Sequence, residues 1–146
     1  VLMAGYKDTS SSDAVYMLDW YAYGIGKVPT KVATTYQNIS DAWSLLIDQK
    51  WHDRITAIKA NDGGLSYVEF FEYRKNKMSI PLFNIYCATG SNREYYAERT
   101  DLIQLGQTTQ AIYFAKLTNE GEQSELALTG DEIKARFSLV NQAWNN

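Results

Sequence analysis

Two side chains in this sequence could serve as a nucleophile or a general base: His52, in KWHDR, and Cys87, in NIYCATG. A histidine beside an acid can take a proton, but His52 and Asp53 are neighbours, and on an extended chain they point to opposite faces. A loop histidine without a catalytic partner is the plainer reading. Cys87 sits inside an apolar run and reads as a small buried hydrophobe whose thiol is inert. A hydrolase built on Cys87 with help from His52 has no local signature behind it, so a non-catalytic role is expected. A zinc site needs several Cys or His ligands, and the chain holds one of each. No metal and no cofactor is implied.

The acids fall in pairs: Glu69 with Glu72, Glu94 with Glu98, Asp131 with Glu132. Negative charge at Asp131 and Glu132 suits the start of a helix. Glu94 and Glu98 repel mildly unless Arg93 or Arg99 intervenes. None of the pairs has the form of a glycosidase dyad. The stretch GIGK invites a phosphate-loop reading, but Tyr21 stands where the first glycine belongs and Val28 follows Lys27, so a turn is expected. Asn38-Ile39-Ser40 is formally a glycosylation sequon.

The aromatic residues carry more information. Eleven Tyr and four Trp help bring the aromatic fraction to 14% in a chain of 146 residues. These side chains join an apolar body to a polar tip, which suits half-buried sheets and ligand faces alike. Tyr67, Tyr73, Trp51, Tyr95 and Tyr96 are the candidates for contact with a ligand or partner. A net charge of −3 argues against nucleic acid, because its longest basic cluster, YRKNK, is short. No apolar run approaches the ~18 residues of a bilayer-spanning helix.

The elements that must position these residues follow from periodicity. Val1 to Ser12 read as a tail, and residues 13–146 as a single domain. VLMAG followed by YKDTSSS resembles the end of a signal segment and the start of a tether, with Tyr6 where a lipidated Cys would stand. Ser12, Asp13 and Gly24 frame a short N-terminal helix. After a loop and an edge strand, Trp43, Leu45 and Ile47 alternate as a strand, with a helix capped by Ser40 competing. DRITAIKA, the turn chemistry of NDGG and then LSYVEFFEYRK form a hairpin. The return strand puts Leu65, Tyr67, Glu69, Phe71 and Tyr73 on one face and Ser66, Val68, Phe70, Glu72 and Arg74 on the other. IPLFNIYCATG is a further strand, SNREYYAERTD a short helix capped by Ser91, and LIQLG and TQAIYFAKL two more strands. Thr129 and Glu132 make a capping box ahead of Ile133, Phe137, Val140 and Trp144 at helical spacing. The expected class is α+β: an antiparallel meander of about five strands, covered by a C-terminal amphipathic helix, with a short N-terminal helix.

WSLLIDQKWHDRI, GLSYVEFFEY, PLFNIYCA, LIQLGQTTQAIYFAKL and LTGDEIKARFSLV resemble, in order and spacing, a small module of secreted proteins and lipoproteins of Gram-positive bacteria. The similarity spans roughly residues 40–142. It implies an extracytoplasmic location, with a possible membrane tether upstream of residue 6, and it implies no particular chemistry. The expected function is a non-catalytic extracytoplasmic module that binds a protein or small ligand through an aromatic sheet face. A small acidic intracellular partner of the immunity or inhibitor type is the alternative, with a cytoplasmic location.

Overall fold

Runs of β-branched and aromatic residues at alternate positions put most of this chain into strands. The computed structural model describes residues 2–4, 16–74 and 77–140, and within them ten strands form two antiparallel sheets. The first sheet runs β1 (Leu2–Ala4), β2 (Tyr16–Ala22), β3 (Thr30–Asn38), β4 (Trp43–Leu46), β10 (Phe137–Leu139). The second runs β5 (Ile55–Asp62), β6 (Leu65–Arg74), β7 (Lys77–Thr89), β9 (Ala111–Leu117), β8 (Ile103–Gln107).

One core lies between them. Tyr36, Trp43, Leu45 and Phe137 of the first sheet join Val68, Phe70, Phe83, Ile85 and Tyr113 of the second in a single buried cluster. Tyr36 meets Phe70 edge-on at 5.4 Å, and Phe137 meets Tyr113 at 5.7 Å, so rings interdigitate across the two inner faces.

The expected single meander under a C-terminal helix is therefore overturned, because the molecule is mostly β and its two sheets cover each other. The capping box is present: Glu132 N donates to Thr129 Oγ1 and Thr129 N to Glu132 Oε1, each at 3.2 Å. The helix it opens, α3 (Gly130–Arg136), lasts only seven residues. Phe137 then turns extended, and Phe137–Leu139 pair with β4 in the register Phe137↔Leu45. The spacing that suggested a longer helix also holds a strand's alternation, since Phe137 and Leu139 are buried and Ser138 is exposed. Pairing with β4 satisfies the backbone that a further turn of helix would have satisfied, and tertiary context wins. Trp144 lies outside the described residues.

The expected N-terminal helix is also overturned. Tyr16–Ala22 form β2, paired with β3 and, at its start, with β1, which occupies part of the expected tail. Ser12 and Asp13 lie outside the described residues. The chain from Trp43 to Leu46 is a strand and not the competing helix, and it passes into a 3-10 turn at Gln49–Trp51. The NDGG hairpin stands as expected: β5 and β6 pair from Asp62↔Leu65 to Ile55↔Glu72, with Gly63 at φ +63 in the turn. The short helix α1 (Arg93–Ala97) follows Asn92, not Ser91, and has no side-chain cap.

Candidate functional site

The two faces of β6 divide as its alternation requires. Val68, Phe70 and Glu72 are buried between the sheets, while Tyr67 and Phe71 stand half-buried on the outer face of the second sheet. Register then builds a row of rings there. Tyr67 pairs with Tyr86 of β7, and Tyr86 with Phe114 of β9. Helix α1 lays Tyr96 on Phe114 and sets Tyr95 beside it.

The centroid separations are 5.2 Å for Tyr67–Tyr86, 5.0 Å for Tyr86–Phe114, 5.3 Å for Tyr96–Phe114 and 5.5 Å for Tyr95–Tyr96. The two central pairs are nearly parallel, at 9° and 16°. Strands lie about 4.8 Å apart, so rings on one face of neighbouring strands come within stacking distance. Ala88 and Ile112, one row along the same face, are buried in the same cluster, with Leu65 and Leu102 packed against it. Asn84 Nδ2 donates to Tyr86 Oη at 3.0 Å and orients that ring. One row along the same face, Glu69, Asn84 and Lys116 pair across the strands as a polar border. Phe114 is buried at 3%, whereas Tyr95 is 64% exposed.

Three of the five aromatics singled out from the sequence, Tyr67, Tyr95 and Tyr96, thus meet in one ladder. Two do not. Trp51 is fully buried, stacked on Phe83 at 5.6 Å, and its indole donates to Leu126 O at 2.7 Å, so it holds the core and offers no surface. Tyr73 lies six residues along β6 from Tyr67, about 20 Å away at strand rise. The two rings that complete the ladder, Tyr86 and Phe114, were not singled out. The strand alternation of NIYCA and AIYFA carries their orientation, but their adjacency depends on register between strands far apart in sequence.

The nucleophile candidates separate. Cys87 is buried at 4%, and burial first, then nearby Asp41, push its thiol up to about 11, against help from Tyr113 and Ser66. A thiol so held is not a nucleophile at neutral pH. His52 is an exposed residue beside Asp53, at 3.3 Å, and lines a cleft at the first sheet. Glu72 is buried with no exposure and is satisfied by Arg74 Nε at 2.6 Å and Ser124 Oγ at 3.1 Å, with Arg54 at 3.8 Å. Glu69 is on the opposite face of the same strand, so these two acids form no pair. Glu94 has Arg93 at 3.7 Å, and Asp131 and Glu132 occupy the first turn of α3.

No protein-family model, no curated protein and no solved structure matches this chain.

Proposed function

We propose that this chain is a non-catalytic binding module whose outer aromatic ladder docks a protein partner. The observation that carries this reading is the continuous row Tyr67–Tyr86–Phe114–Tyr96–Tyr95, anchored on a buried Phe and ending in an exposed Tyr. Tyrosines offer large, stiff, amphipathic contact area and lose little side-chain entropy on binding, and here stacking has already fixed their rotamers. A row of packed rings with a polar border matches the anatomy of a protein interface, with aromatic anchors inside and a polar rim. Small molecules favour concave sites, and a cleft of that kind lies at the other sheet.

The experiment compares the wild type with the double variant Tyr67→Ser/Tyr95→Ser. The partner is recovered on immobilised wild-type protein and then titrated against both. A partner held equally by the two proteins would contradict the reading.

A further inference from the structure

We infer that the cleft at the open end of the first sheet is a second binding site, for a small amphipathic oxyanion with a carboxylate or phosphate head on a short apolar body. Strand β4 stops at Leu46, and the last backbone bond to β3 runs from Ile47 N to Thr34 O at 2.8 Å. β3 continues outward to Thr30 with β2 on its other side. The chain leaving β4 turns through Asp48 and the 3-10 turn towards His52, and Arg136 at the end of α3 closes the gap. These segments enclose about 730 Å³, inside the ~300–1,000 Å³ of small-ligand sites.

The lining has two characters. Val32, Ala33, Leu46 and Ile47 form an apolar side, on which Val32 is 63% and Leu46 43% exposed. Lys31, His52 and Arg136 supply cationic or titratable donors, beside Thr34 and Gln49, against one lining carboxylate, Asp48. Each lining cation is ion-paired, Lys31 with Asp19 and Arg136 with Asp48. Asp53 lies 3.3 Å from His52 and is itself largely exposed.

The cations are held in place with donors to spare. Lys31 Nζ bonds Asp19 Oδ1 at 2.8 Å, while Thr34 Oγ1 donates to the same carboxylate oxygen at 2.6 Å, leaving the ammonium further protons. Arg136 Nη2 bonds Asp48 Oδ2 at 2.5 Å and its Nη1 reaches Glu132 O at 3.3 Å. Arg136 Nε is buried with no acceptor among the described residues. An oxyanion head would take the spare ammonium protons of Lys31 with the donors of His52 and Gln49, and an apolar body covers Val32 and Leu46. Strand addition of another chain suits this edge less well, because Pro29, Lys31 and the register shift opposite Trp20/Tyr21 are features that discourage edge pairing.

The test titrates sodium octanoate into the ¹⁵N-labelled protein, with 1-octanol and inorganic phosphate as the two half-ligands. Saturable shifts are expected at the amides of Val32, Ile47 and Gln49, with each half-ligand at least about tenfold weaker. Lys31→Met and His52→Gln should each weaken octanoate by about tenfold with the remaining spectrum unchanged. His52 is exposed, so its variant reports binding even if the Lys31 variant misfolds. The proposal is overturned if octanoate gives no saturable shift, shifts residues outside the cleft, binds no better than octanol, or binds His52→Gln as it binds the wild type.

Discussion

Phe137 shows how one residue can keep its role while its element changes. It packs on Trp43 at 5.7 Å and on Tyr113 at 5.7 Å, at the junction of α3 and β10. Removing a buried Phe leaves a cavity and typically costs about 3–5 kcal/mol. Phe137→Ala should therefore lower the denaturant midpoint sharply. Thr129→Ala removes one half of a capping box whose other half survives, and should cost about 1 kcal/mol. Denaturant unfolding of both variants checks the order, and equal small effects would mean that Phe137 is not core. Burial at Phe137 and Ile133 and the cap at Thr129 were legible in the sequence, because apolar residues at helical spacing behind T-x-x-E carry a local signal. Where that helix ends was not legible, since it depends on the free side of β4, nearly a hundred residues earlier.

The same divide between local and distant signals runs through the elements. The NDGG hairpin was readable because its turn residues and its alternating strands lie side by side in sequence. Tyr16–Ala22 is a strand where a helix is expected, since Ser12, Asp13 and Gly24 frame it like helix caps while its pairing partner β3 lies beyond a long turn. The ladder was half legible: strand alternation gave Tyr67 its face, and only the β6–β7–β9 register brings Tyr86 and Phe114 beside it. The short helix α2 (Asn119–Glu122) gave no sequence signal for its docking on β7. Its cap, Thr118, donates through Oγ1 to Pro81 O at 2.5 Å and accepts from Gly121 N at 2.9 Å. A Cβ on Gly121 would stand 2.1 Å from Leu82 O, a backbone atom of β7 that has little freedom to move. Gly121→Ala should thus destabilise by about 1–3 kcal/mol or more, read as a fall in thermal midpoint. An unchanged midpoint would show that α2 is not docked on the strand.

For the molecule as a whole, charged and buried groups set the pH range of stability. Backbone and side-chain bonds from Lys50 and Arg136 hold Asp48 below its ordinary 3.8. Asp19 is also lowered: burial would raise it, but Lys31 and Thr34 outweigh that. Both therefore add stability above about pH 4, and lose it as pH falls through their depressed values. Cys87 acts at the other limit. Its thiol is raised from 9.0 to about 11, so its share is complete below pH 9 and disappears as pH rises towards 11. Denaturant melts across pH should show a plateau falling at both ends, with Asp48→Asn flattening the acid limb and Cys87→Ala the alkaline one.

The central claim is that the ladder's outer edge serves binding, while its base serves the fold. Parallel measurement of melting and partner affinity in Tyr67→Ser/Tyr95→Ser tests it most directly. Tyr95 is largely exposed and Tyr67 half-buried at the end of the row, so the melting midpoint should stay within a few degrees of wild type. Two truncated anchors should weaken the partner by roughly a hundredfold or more. A variant that unfolds, or one that melts as the wild type does and keeps its full affinity, would contradict the account.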